Sequence, residues 1–276
     1  GKKVAIVVHG TDCVSFPALN YGNLRIPLMR YFTYKSYQWA DVIFPVSKSL
    51  VYTENNYFSD KVLKFGYTHH LSNINTPYKV IPNGLIINDW KSEKIIKEPN
   101  SFITVMTGEQ IKRKGGYLII DVANKLKNCT FYIAGTKTIK GVDVPENVIC
   151  LGRLTPDELR KWYNKTRFYL QLSNFEGFGV AICEAMLCEC VPIVSDVNYL
   201  PTIADNSKLV LKKAIKKGGS TIRNFKNVKG NIGTFQKEFK VYDREGINCP
   251  TKKCREKIIR FVISNRSTYL CKYCQK

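Results

Sequence analysis

From residue 100 onward, short runs of β-branched and aromatic residues alternate with stretches of helical period. Strands are predicted at 102–107, 130–134, 148–152, 168–172, 191–194 and 209–211. Most of these are apolar on both faces, as strands of a covered parallel sheet must be. Between the first two, Ile119, Val122 and Leu126 fall on one helical stripe. Thr155-Pro156-Asp157-Glu158 puts a capping threonine, a proline at the first helical position and a glutamate three residues after the cap, which marks a helix start. Strand, helix and strand repeated in this way predict a doubly wound α/β domain that binds its ligand at the carboxyl ends of its strands. The first 99 residues hold similar strands at 4–8, 42–46 and 79–81, set among longer polar and aromatic stretches, and are expected to form part of a second α/β domain. The turn Ile81-Pro82-Asn83-Gly84 and the polar segment 88–100 separate the two, giving expected domains 1–99 and 100–276.

One helix carries a residue that its surroundings do not favour. Residues 178–190 read FGVAICEAMLCEC, apolar nearly all round and therefore expected to be buried, yet Glu184 lies in the middle. A buried carboxylate needs hydrogen-bond donors or a cation. Glu176-Gly177-Phe178-Gly179 precedes this helix. Glycines there let the backbone approach a ligand, and the free amides of a helix start attract phosphate oxygens. Glu184 stands about 7–8 Å along the helix from Gly179, roughly the span from a diphosphate to a ribose. The plainer reading of Glu184 pairs it with a core lysine or arginine.

Charge changes the picture at the other end of the chain. The protein carries a net charge of +21. Residues 208–276 hold 19 Lys and Arg against 4 Asp and Glu, a block that attracts nucleic acid, an anionic membrane or a phosphorylated substrate when it is more than a solvated surface. Six of the ten cysteines lie in apolar segments, where Cys is a small core residue. The other four, Cys249, Cys254, Cys271 and Cys274, approach the spacing of a four-thiolate zinc site, with disulfides or free thiols as alternatives. The adjacent His69 and His70 lack a carboxylate cluster, and Gly135-Thr136-Lys137-Thr138 lacks the ending of a phosphate loop. No run of 18 apolar residues occurs, and the expected location is cytoplasmic, peripheral at a membrane if the basic tail engages one.

The glutamate pair Glu176-x7-Glu184 within NFEGFGVAICEAM, followed by CVPIVSD, resembles the signature of the retaining GT-B glycosyltransferases of family 4. Val7-Val8-His9-Gly10, Ala40-Asp41-Val42 through Val46-Ser47, Val80 to Gly84, Arg113-Lys114-Gly115, Tyr132 to Gly135 and Leu151 to Leu154 occur in that family's order. The resemblance implies a GT-B fold of two Rossmann-like domains, the first abbreviated. It implies a retaining, metal-independent transfer of a hexose-like sugar from a UDP- or GDP-sugar to a glycan, lipid or protein acceptor. Glu184 would accept hydrogen bonds from the ribose, and Glu176 would face the hydroxyls of the transferred sugar. Amides of Phe178, Gly179 and Val180 would hold the distal phosphate and sugar. Lys114 would neutralise the departing diphosphate, backbone at Arg153 and Leu154 would contact the base, and His9 would face the sugar from the first domain. Catalysis would then come from stabilising the leaving phosphate, which takes the acceptor proton.

Three features depart from that pattern. Glu109 stands where the family has arginine, so Lys112 or Arg113 would have to supply the missing charge. The strand bearing His9 comes almost first in the chain, and the cysteine-bearing basic tail has no counterpart. They leave open an alternative, a non-catalytic nucleotide-sugar-binding module whose tail docks on nucleic acid or an anionic membrane.

Overall fold

The computed structural model describes residues 2–93, 95–139, 141–206, 240–252, 254–263 and 266–275. The elements in chain order are β1 (Ala5–Val8), α1 (Pro27–Trp39), β2 (Val42–Pro45), β3 (Thr53–Asn55), β4 (Leu63–Phe65), α2 (Tyr67–His70) and β5 (Glu98–Val105). They continue with α3 (Gly116–Lys125), β6 (Thr130–Ala134), β7 (Val148–Gly152), α4 (Pro156–Lys165), β8 (Thr166–Gln171), α5 (Val180–Leu187), β9 (Val191–Val194), β10 (Ile259–Ile263) and β11 (Arg266–Leu270). The contacts divide the chain into two compact units, 1–205 and 206–276. The first expected domain, 1–99, and the second as far as residue 205 lie in the first unit, and the tail of the second makes up the other. The strand expected at 209–211 lies outside the described residues.

The main sheet has five parallel strands in the order β7-β6-β5-β8-β9. The strand order reverses around β5, so the crevice beyond the carboxyl ends of β5 and β8 is the switch point at which such sheets bind ligands. Phe102 of β5 stacks on Phe131 of β6 and Phe168 of β8, with ring centroids 4.9 Å apart in each case. This aromatic ladder ties the three central strands on one face. α4 starts as its sequence dictates, with Thr155 and Glu158 forming a reciprocal capping box and Pro156 in the first turn. Its far end is closed by Lys97, whose ammonium donates to the carbonyls of Tyr163, Asn164 and Thr166 at 2.7, 3.1 and 3.0 Å.

Two helices differ from the periodic reading. α3 buries Ile119, Ile120 and Ala123, whereas Leu126 lies beyond the helix and is 42% exposed. α5 is not wrapped on all sides. Ile182 and Ala185 face the core, while Glu184 is only partly covered.

In the first half of unit 1, β1 and β2 pair in parallel. The third expected strand, 79–81, runs beside β2 through bonds from the Lys79 and Ile81 amides to the Ile43 and Pro45 carbonyls. Pro82, which lacks a donor, follows at once, and no full ladder forms. The β3–β4 hairpin adds Phe65 to a core containing Val8, Phe16, Leu24, Tyr37, Ile43 and Leu50. Phe175 and Phe178, from the loop after β8, belong to this same core.

Unit 2 centres on the antiparallel hairpin β10–β11. Cys249, Ile258 and Cys271 form its small core, against which Val241, Cys254 and Tyr269 pack.

Candidate active site

The loop between β8 and α5 is positioned from both sides. Arg113, on the segment leading to α3, donates to the Phe175 carbonyl at 3.0 Å and lies over the Tyr21 ring at 4.6 Å. From the first half, the buried hydroxyl of Ser47 donates to the Gly177 carbonyl at 2.6 Å. Gly177 passes so close to the strand bearing His9 that a Cβ there would lie 2.1 Å from the His9 carbonyl oxygen, so only glycine fits. Gly179 sits at φ +95° and turns the chain into α5, leaving the first amides of that helix free.

These constraints shape a cavity of about 330 Å³ at the switch point. His9 and Asn83 line it from the first half, and Lys114, Gln171, Glu176, Glu184 and the start of α5 line it from the second. Six predicted residues, His9, Lys114, Glu176, Phe178, Gly179 and Val180, meet here with Glu184. Gln171 and Asn83 were not singled out from the sequence. The signal for Gln171 in the sequence is a glutamine closing the apolar run Phe168-Tyr169-Leu170 of β8.

Glu176 is the most heavily contacted group. Gln171 Nε2 donates to its Oε2 at 2.9 Å and the Ser173 hydroxyl at 3.4 Å, while Arg113 and Lys114 nitrogens stand 3.8 and 3.9 Å away. Gln171 is itself held by the Tyr169 hydroxyl, which donates to its Oε1 at 2.7 Å. Lys114 also donates to the Val105 carbonyl at 3.2 Å, at the end of β5. Burial lowers its pKa, an effect opposed by the neighbouring Glu176 and Glu184 carboxylates. Burial raises the pKa of Glu184, and Lys114 works against that rise. The result is a carboxylate on the helix and a lysine opposite, both poorly solvated and each better satisfied by a polar ligand carrying hydroxyls and phosphates.

The other predicted residues lie outside this cavity. Lys112 points away and donates to the Ala18 carbonyl at 3.0 Å. Arg113 is buried behind Glu176 and spends its guanidinium on Phe175, Tyr21 and Glu176. Neither lines the cavity, so neither stands there in the place that the resemblance gives to an arginine. Glu109 is exposed in the short turn after β5 and is not among the lining residues. Arg153 is exposed and Leu154 half-buried in the loop between β7 and α4, and neither lines the cavity.

In unit 2 the four tail cysteines come together, with their sulfur atoms within 4.8 Å of one another. Cys249 and Cys274 sulfurs are 3.8 Å apart, and Cys254 and Cys271 sulfurs 3.7 Å. A disulfide needs about 2.05 Å, so neither pair is bonded. Four ligands at the usual zinc–thiolate distance of about 2.3 Å from a central ion stand about 3.8 Å apart, so this spacing fits a tetrahedral ion. Hydrogen bonding to Thr251 lowers the Cys249 thiol, while Cys254 and Cys274 are pushed up among their neighbours, so the four thiols titrate as a coupled group.

Comparison with known proteins places these features. The solved structure of Alr3699/HepE from Anabaena in complex with UDP-glucose superposes with a TM-score of 0.52 at 13% identity, covering 79% of this chain and 64% of that one. Sucrose-phosphate synthase from Thermosynechococcus elongatus gives 0.51 at 14% identity, over 75% and 58%. These likenesses establish the GT-B fold. A stretch of 67 residues is 48% identical to formamidopyrimidine-DNA glycosylase of Azorhizobium caulinodans, covering 24% of this chain. The chain spans 23% of that relative's length. Residues 88–220, which include β5 to β9 and the cavity's two glutamates, match the family model described as Glycosyl transferases group 1.

Proposed function

We propose that unit 1 transfers a hexose-like sugar from a UDP- or GDP-activated donor to an acceptor hydroxyl, with retention at the anomeric carbon and without a metal ion. The observation that carries this reading is the convergence of Glu184, Lys114 and the α5 amides on one cavity at the switch point. Glu184 accepts from the ribose hydroxyls. The helix start and Lys114 receive the diphosphate, and Lys114 stabilises it as the bond to the sugar breaks. Glu176, held by Gln171 and Ser173, faces the sugar hydroxyls, with His9 opposite. UDP-glucose in the Anabaena structure favours a uridine donor. Isothermal titration with UDP and GDP tests the reading. Binding by one of them, weakened about 10- to 100-fold by Glu184→Ala as charged hydrogen bonds are lost, supports it. Absence of binding at millimolar concentration refutes it.

For unit 2 a second reading follows from the stretch shared with DNA glycosylases. It is close in length to residues 206–276, and residues 88–220 are matched by the other family. We assign the stretch to unit 2 and read that unit as a zinc-holding nucleic-acid-binding module. Cys249, Cys254, Cys271 and Cys274 would hold the ion, which would knit together a unit with a very small core. In the cytoplasm, the expected compartment, thiols stay reduced and available to a metal. The excess of 19 basic over 4 acidic residues in the tail suits a phosphate backbone.

A further inference from the structure

We infer that the acceptor of the transferred sugar is DNA, so that the chain glycosylates a hydroxyl on a DNA strand rather than on a glycan, lipid or protein. The inference rests on the readings of both units given above. The sequence of unit 2 is rich in groups that bind phosphate and poor in acid–base groups. Residues 206–276 contain no histidine, and the four carboxylates among them, Glu238, Asp243, Glu245 and Glu256, compare with 19 basic side chains. The piece shared with the DNA glycosylases is between 22 and 29% of their length. A binding module tethered to a transferase raises the local concentration of what it binds near the transfer site, to the millimolar range for short linkers. What this tail concentrates is thereby favoured as acceptor.

Unit 1 supplies an independent observation. Residues 13–40, on the half that bears His9, contain no Asp or Glu and carry Arg25, Arg30 and Lys35. On α1 the rings of Tyr31, Phe32 and Trp39 are 55, 58 and 77% exposed. Lys35 lies 5.9 Å from the Tyr31 ring centre. Beside α1 is a cavity of about 480 Å³ lined by Arg25, Arg30, Tyr31, Tyr34 and His70. The Arg25 Nε is buried there without a hydrogen-bond partner among the described residues. Guanidinium groups that receive phosphate oxygens, interleaved with rings on which bases stack, are the surface chemistry of nucleic-acid grooves.

In the transfer, the bond from the anomeric carbon to the donor phosphate breaks as a bond to the acceptor oxygen forms. The acceptor proton passes to the departing diphosphate, so no oxidant, reductant or further reactant is needed. Ordinary DNA bases carry no hydroxyl. The nucleophile is therefore either the hydroxyl at a strand end or one on a hydroxymethylated base, and the test separates the two.

The zinc-loaded full chain is incubated with radiolabelled UDP-glucose, UDP-N-acetylglucosamine or GDP-mannose and duplexes of one sequence. All strands carry 5′ phosphates; one DNA duplex has free 3′ hydroxyls, a second has dideoxy ends, a third has dideoxy ends and 5-hydroxymethylcytosine, and the last is RNA. Donor breakdown is followed alongside label in the nucleic acid. Label entering the first or third duplex supports the inference and identifies the oxygen. It should also fall about tenfold or more between about 50 and 200 mM salt, the loss from two phosphate contacts, and disappear in Cys249→Ser/Cys274→Ser. Should that variant precipitate, the salt series decides alone. Donor breakdown with no label in DNA, or label in RNA only, overturns the inference while leaving the transferase reading intact. No nucleotide binding and no donor breakdown overturns the transferase reading, and this inference with it.

Discussion

Glu184 is held in the folded chain partly out of water, with its pKa raised by that burial and only Lys114 opposing the effect. A folded carboxyl that protonates more easily than the unfolded one binds extra protons between the two pKa values. Its contribution to stability is therefore present at low pH and lost as pH rises from the ordinary carboxylate range through the raised folded value. Glu184→Gln removes this loss. The variant is expected to melt at a higher Tm than the parent at pH 7 without donor, the gap closing toward pH 4, while nucleotide binding weakens. Differential scanning calorimetry across pH checks it, and a parent Tm equal to the variant's at every pH would count against it. This residue was legible in the sequence because a charge amid FGVAICEAM conflicts with its surroundings. Gln171 was harder to find, because an amide in a strand is common and only the contact with Glu176 at 2.9 Å reveals its task. Lys112, Arg113 and Lys114 are alike in sequence, and only packing separates the cavity-lining Lys114 from Arg113 and Lys112, which serve the backbone.

At the scale of elements, local signals and observed structure agree best where the chain carries its own start codes. The Thr155 capping box opens α4 where the sequence places it, and Thr155→Ala is expected to lower stability by about 0.5–2 kcal/mol. Urea denaturation of the first unit, read by tryptophan fluorescence, measures this, and a loss below that range would mean that tertiary packing alone sets the helix start. The strands at 130–134, 148–152 and 191–194 were legible from apolar runs bounded by turns. What the pattern missed has a common cause. Leu126 is apolar but lies past the end of α3, and the 79–81 strand is cut short by Pro82, so in both places chain termination outweighs periodicity. The cysteine quartet was visible only as two pairs, and its closure depends on the β10–β11 hairpin bringing Cys271 back beside Cys254.

For the whole molecule, two compact units predict two separable responses. If the four cysteines hold zinc as proposed, its chelation is expected to expose residues 240–275 to protease, because the core among the described residues there is little more than Cys249, Ile258 and Cys271. UDP binding by the first unit should change less than twofold. Limited proteolysis with mass spectrometry and parallel titration checks both, and loss of UDP binding on chelation would mean that the units depend on each other. The first unit behaves differently within itself. Phe175 and Phe178 lie inside the region matched to the transferase family, yet their rings are buried in the core of the first half, where Phe175 meets Phe65 at 5.3 Å and Tyr21 at 5.8 Å. The border of recognisable ancestry thus cuts through a shared interior. Expressed alone, residues 88–220 would bare two phenylalanines beside Glu176, and the piece is expected to aggregate where 1–205 stays monomeric on size exclusion. Anyone trimming this protein for crystals or for engineering should cut after 205, where the packing parts, and keep the first 87 residues as the wall against which Glu176 is set.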